Sequence, residues 1–211
     1  ATPVTIQALL DMNRQHPLRR VLEMGAGIGT LTYALLKYSR AFVDTYEDNA
    51  FCKKALTQNL LPFKDRYCLL ESYEQKPPHT SYDLVVVDGG GGKGEDGGAM
   101  PIIQSIARAV DARMFYIEGG RHQQRTLLRR ALSEHYVYHL VQYDDAVIAG
   151  AAYKGGLAVV CSRSSNAFIR KLNFLYWEIV EWTPVKYALM YRLRRLLLLF
   201  GYRPRKMRRD E

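Results

Sequence analysis

Glu23, Gly25, Gly27 and Gly29 carry the first chemical signal in the chain. They stand in the run Val21-Leu22-Glu23-Met24-Gly25-Ala26-Gly27-Ile28-Gly29-Thr30-Leu31-Thr32. Alternate glycines let a backbone turn tightly and approach a ligand closely. A second acid, Glu47, lies 20 residues beyond Gly27. At the end of a second strand such an acid can accept both ribose hydroxyls of an adenosine. A third group comprises Asp88, Glu118 and His122. Asp88 and Glu118 close apolar runs, and His122 follows one turn onward. Two carboxylates facing one pocket, with the imidazole, can hold a divalent cation that lowers the pKa of a hydroxyl. Alternatively one of them acts as a general base. A plainer role is also open, in which Glu118 pairs with Arg121 or Arg125 and orders the loop.

Charged donors surround these acids. Arg121 and Arg125 are one turn apart and can clamp a carboxylate or phosphate. Seven of the ten residues from Gly89 to Gly98 are glycine, interrupted by Lys93, Glu95 and Asp96. This segment is placed either as a lid, with Lys93 touching an anionic substrate group, or as a plain linker.

These residues need elements to position them. Short apolar runs predict strands at 20–23, 41–46, 67–70, 84–88, 114–118, 136–142 and 157–162. Helices are expected at 31–38, 50–60, 101–110 and 121–133, and a Gly/Ala-containing turn around 150–156 joins the last two strands. Continuous apolar runs suit parallel strands covered on both faces. Alternation of strand and helix implies an α/β fold with a Rossmann-like open, mostly parallel seven-stranded sheet and helices on both faces.

The glycine run resembles motif I of the class I S-adenosylmethionine-dependent methyltransferases. Tyr46-Glu47-Asp48-Asn49 and Tyr82-Asp83-Leu84-Val85-Val86-Val87-Asp88 extend the resemblance over residues 18–162. It implies that Glu23, Gly25, Ala26, Gly27, Gly29 and Thr30 line the cofactor around its methionine part. Glu47 would hold the ribose, Asp48, Glu71 and Ser72 would border the adenine, and Asp88 would sit beside the reactive methyl. The competing reading is a nicotinamide- or nucleotide-binding domain. Such a site prefers Gly-x-Gly-x-x-Gly, whereas position 30 here is threonine. The phosphate-binding Gly-Lys-Ser/Thr loop is absent from the sequence.

Motif I also resembles that of the ribosomal-RNA adenine dimethyltransferases. Those enzymes carry an Asn/Asp-Pro-Pro-aromatic sequence after the fourth strand, where this chain has Asp88-Gly89-Gly90-Gly91. A stacking platform for a flipped base is therefore missing. The acid-ended strand is closer to small-molecule O-methyltransferases, although the further Asp and Lys of the cation-dependent ones are absent. The expected activity is O-methylation of a small-molecule or glycan-like acceptor, with S-adenosylmethionine as cofactor and a divalent cation as an additional candidate. Alternatives are an RNA methyltransferase and a non-catalytic interaction protein on the same fold.

Composition sets the wider frame. The 211 residues include 48% hydrophobic and 24% charged side chains, ordinary for a fold with a core. Three separated cysteines argue against a disulfide framework or a zinc site, and favour a reducing, cytoplasmic setting. Residues 1–20 show no signal pattern, and no apolar run reaches the roughly 18 residues of a membrane span. The sequence divides into a methyltransferase domain over 1–163 and a helical, basic, amphipathic extension over 164–211. Residues 167–182 and 185–200 of the extension read as helices. Positions 185–211 hold nine basic residues against two acids; the rest of the chain holds 21 against 19. The extension suits an anionic membrane surface at the inner face of a membrane, packing on the domain or a partner, or, less well, nucleic acid.

Overall fold

The computed structural model describes residues 1–88, 109–119, 122–153 and 155–181. The glycine-rich segment with Lys93, the side chain of His122, Arg121 and the helix expected over 185–200 lie outside the described residues. The helix expected over 101–110 does so too, but for its last two residues.

Five strands, β1 (Arg20–Met24), β2 (Phe42–Tyr46), β3 (Tyr67–Leu70), β4 (Ser81–Val87) and β5 (Asp111–Glu118), run parallel. Among the remaining strands β6 (Tyr136–Tyr143) and β9 (Gly156–Arg163) complete a seven-stranded sheet of order β3-β2-β1-β4-β5-β9-β6, in which β9 is antiparallel to both neighbours. The chain starts at β1, moves outward to β3 and crosses back to β4. The loops leaving β1 and β4 therefore diverge, opening a crevice at the carboxyl ends of these strands.

Side chains alternate strictly across the sheet. Leu22, Met24, Val85, Val87, Phe115 and Ile117 enter one core. That core is covered by α4 (His122–Leu132) and α5 (Ala167–Glu181), which follow α1 (Pro3–Gln15), α2 (Thr30–Tyr38) and α3 (Ala50–Asn59) in the chain. Val21, Val43, Leu84, Val86, Met114 and Tyr116 enter the other core, against α1, α2 and α3. Burial of apolar side chains on both faces is the main force holding the sheet.

Two features depart from the sequence expectation. The first is α1, which no strand–helix alternation announced. Thr2 caps it by accepting from Thr5 N at 3.2 Å, proline occupies its first turn, and Ala8, Leu9 and Met12 are buried. The second lies between β6 and β9. In place of a plain turn around 150–156 there is a hairpin of β7 (Ala146–Ile148) and β8 (Ala151–Tyr153). Ala149 and Gly150, at φ 50° and 81°, make its tight turn. Its base is in register with the site, because Gly156 pairs with both Tyr143 and Glu118.

Helix α5 is fastened to β6 through side chains. Asn173 Oδ1 accepts from Tyr138 N and Asn173 Nδ2 donates to Tyr138 O, both at 2.9 Å. Trp177 Nε1 donates to the same carbonyl at 2.8 Å, and Glu178 meets buried Arg129 at 2.7 Å. Replacing Asn173 with alanine removes both amide bonds and is expected to cost about 1–3 kcal/mol in urea unfolding. An unchanged midpoint would show that Trp177 and Glu178 suffice.

Candidate active site

The β1–α2 loop is shaped by three glycines in left-handed conformations, Gly25, Gly27 and Gly29, at φ 88°, 55° and 84°. The amides of Gly25 and Ala26 both donate to Tyr46 O at 3.0 Å, so the loop folds across the end of β2. The last two glycines serve different ends. A Cβ on Gly29 would stand 3.2 Å from Leu56 Cγ and 3.5 Å from Leu60 Cγ, so glycine there lets α3 pack. A Cβ on Gly27 would meet nothing within 4 Å. Glycine there leaves room on the open side of the loop.

Glu47, 7% exposed, joins the loop to the end of β2. Its Oε2 accepts from Gly27 N at 2.6 Å and its Oε1 from Asn49 N at 2.9 Å. Each oxygen keeps a lone pair for a further donor. Beneath the loop Glu23 is wholly buried. Thr32 Oγ1 donates to Glu23 Oε2, and Thr45 Oγ1 donates to the same oxygen at 3.3 Å. Glu23 Oε1 is buried without a hydrogen-bond partner among the described residues. Burial pushes this carboxyl up to about 7 against the opposing effect of the two threonines.

The other expected cofactor residues line the crevice less tightly. Thr30 opens α2 and is exposed, as are Asp48 and Glu71. Lys53 Nζ lies 2.7 Å from Glu71 Oε2, and half-buried Ser72 accepts from Glu74 N at 3.2 Å. Sequence reasoning missed Tyr73, which stacks on Tyr46 at 5.3 Å between centroids. Its hydroxyl is held above the usual tyrosine range, first by burial and then by the charges of Asp48, Glu47, Glu23 and Asp88. The ring thus stands among the acids of the crevice. Its only sequence signal was an aromatic residue beside the acid and hydroxyl already chosen after β3.

Asp88 and Glu118 are brought together by the β4–β5 register, in which Val87 pairs with Ile117. Their side chains share a hydrogen bond. Thr5 Oγ1 and Thr2 N also donate to Glu118 Oε1, each at 2.8 Å, so α1 braces this acid from above. Burial, followed by the bond and charge of Glu118, pushes Asp88 up to about 7. Burial acts upward on Glu118 too, while the bonds from Asp88, Thr5 and Thr2 N act downward, and this carboxyl lies below the usual carboxylate range. Of the two carboxyls, Asp88 is the one whose hold on a proton is strengthened.

Two expectations need correction. No group of three His, Cys, Asp or Glu side chains that could hold a metal occurs among the described residues. Asp88 and Glu118 are bonded to each other and to α1, so the arrangement does not support the divalent-cation site. Arg125 is 9% exposed, not poised at the surface. It donates to Gly119 O at 2.5 Å and to Gln142 Oε1 at 3.1 Å, bracing the end of β5 against β6. Both of these donors are spent within the protein and not on a substrate anion.

No family model matches the chain, and no curated protein matches it. Solved structures do. The O-methyltransferase TomG from Streptomyces achromogenes, in complex with S-adenosylmethionine, is 13% identical with a TM-score of 0.58; the match covers 77% of this chain and 81% of that one. A precorrin-6y C5,15-methyltransferase from Geobacter metallireducens is 15% identical, at 0.58, over 78% and 93%. A Bacillus cereus O-methyltransferase holding S-adenosylhomocysteine is 15% identical, at 0.57, over 77% and 82%. The chain has the Rossmann-like fold of the class I S-adenosylmethionine-dependent methyltransferases.

Two outcomes test this geometry. Gly29→Ala should lose more stability than Gly27→Ala in urea unfolding, by about 1 kcal/mol or more, because only Gly29 adds a clash to the strain of positive φ. Equal losses would mean that α3 yields to the added methyl. Glu23 binds its proton more tightly folded than unfolded, so its contribution to stability falls as pH rises from about 4.5 to about 7. Glu23→Gln should flatten that part of the pH–stability curve; an unaltered slope would contradict a raised pKa at Glu23.

Proposed function

We propose that the chain is an S-adenosylmethionine-dependent methyltransferase acting on an oxygen of a small-molecule or glycan-like acceptor. The observation that carries this reading is Glu47, clasped by the amides of Gly27 and Asn49 beside the open side of Gly27. It sets a two-oxygen acceptor at the switch point, where a ribose diol fits. The unpartnered, buried Glu23 Oε1 adds an acceptor that a donor of the cofactor's methionine part, or a water, can satisfy. The fold shared with cofactor-bound O-methyltransferases supports the same reading.

When bound, the cofactor supplies a methyl group on a sulfonium, whose C–S bond breaks as the acceptor O–C bond forms. The residues of this chain orient the acceptor and take its proton. Asp88 is the group suited to the proton. Its pKa of about 7 leaves a substantial fraction ionised at neutral pH, matched to a general base. Glu118, fixed by Thr5, holds Asp88 in place and tunes it. An oxygen acceptor fits a site that offers a base to a hydroxyl.

Calorimetric titration with S-adenosylmethionine and its demethylated product tests the reading. Micromolar binding is expected, weakened about tenfold or more in Glu47→Ala and Gly27→Val. No binding by folded wild-type protein would sink the proposal. In an acceptor screen that includes RNA, turnover should rise with pH through about 7 and level off above it. Asp88→Asn should abolish that rise.

A further inference from the structure

We infer that the outer face of α5, together with the basic run that follows it in sequence, seats the protein on an anionic phospholipid surface. Phe168, Ile169, Leu172, Leu175, Tyr176 and Ile179 form one stripe along α5, and each is 49–69% exposed. Their spacing of one, four, seven, eight and eleven residues from Phe168 puts them on a single helical face. The helix cannot turn this stripe inward. Asn173, Trp177 and Glu178 on the opposite side are already bonded to β6 and α4. A stripe of this size on a fixed helix implies that something apolar covers it.

Charge identifies the occupant. Residues 185–211 carry seven more basic than acidic side chains, while the remainder of the chain is nearly balanced. Between the cations lie Leu189, Met190, Leu193, Leu196, Leu197 and Phe200. Folding this segment back over α5 would match one stripe with another and crowd nine cations against only two acids of the same segment. A second copy would bring nine more. Nucleic acid would neutralise the cations but offers no acyl phase to the stripe. A bilayer with anionic headgroups takes both together, apolar side chains at the acyl boundary and cations among the phosphates. Aromatic Phe168 and Tyr176 suit that boundary. None of the described helices is long and apolar enough to cross a membrane.

The inference does not depend on methyl transfer and is tested separately. The full chain is sedimented with vesicles of phosphatidylcholine, alone or mixed with phosphatidylserine. Binding to mixed vesicles is expected to be at least about tenfold tighter than to phosphatidylcholine alone, and to weaken as salt rises. The double variant Leu172→Glu/Leu175→Glu should lose about tenfold or more on mixed vesicles while keeping its thermal midpoint and cofactor titration. The altered side chains are exposed, so folding is spared. Vesicle binding unchanged in this variant would overturn the proposal, as would wild-type protein that ignores mixed vesicles at low salt. A wild-type dimer in light scattering that the variant converts to monomer, without vesicle binding, would assign the face to a second copy and overturn it too.

Discussion

A single carboxylate, Glu47, governs how the carboxyl ends of three strands meet. It receives Gly27 N from the loop after β1 and Asn49 N from the turn that opens α3, while its own amide donates to Leu70 O at the end of β3. Tyr46, its chain neighbour, takes the amides of Gly25 and Ala26. The glycine loop is thus held from below by backbone and from the side by charge. On the far side of β1, Asp88 N donates to Met24 O and fixes where β4 ends. Displacing Glu47 would release the loop and the start of α3 together, which is why the geometry of the crevice rests on it.

The acids around this point show two ways of keeping a carboxyl group out of water. Glu23 is supported by two threonine hydroxyls, too little to offset complete burial, and so holds its proton up to about 7. Glu118 has a hydroxyl, an amide and the proton of Asp88, and remains ionised. The same carboxyl group thus separates into a reluctant acid, Glu23, and a readily ionised one, Glu118, through the number of donors each receives. α1 supplies two of those donors. Its position over the sheet therefore bears on the charge state of the pair.

Much of this was legible in the sequence for physical reasons. Strands buried on both faces read mainly as apolar runs, most clearly residues 84–87 in β4 and 114–117 in β5, although β1 and β2 also bury Glu23, Asp44 and Thr45. A backbone at positive φ must be glycine-rich, which exposed the loop at once. What sequence could not show was the destination of polar side chains. Arg125 has the same letters around it whether it reaches outward or braces Gly119 O, and only the β5–β6 geometry decides. Tyr73 acquires its importance from Tyr46 and four acids that are distant in sequence. Helix α1 was overlooked because its buried face amounts to Ala8, Leu9 and Met12 between polar residues, a pattern too short to stand out. The β7–β8 hairpin escaped notice because three-residue strands carry almost no periodicity.

The bond between Asn173 and Tyr138 has a consequence for how copies of this protein behave near one another. β6 is the last strand in the order of its sheet, and a terminal strand offers unpaired amides and carbonyls to any extended chain that passes. At Tyr138 both groups are already taken by the one amide that mimics a neighbouring backbone, and the indole of Trp177 takes the carbonyl a second time. α5 is therefore a guard as well as a cover. It denies a foreign strand its first rung at the middle of β6, and so turns an adhesive border of the sheet into a closed one.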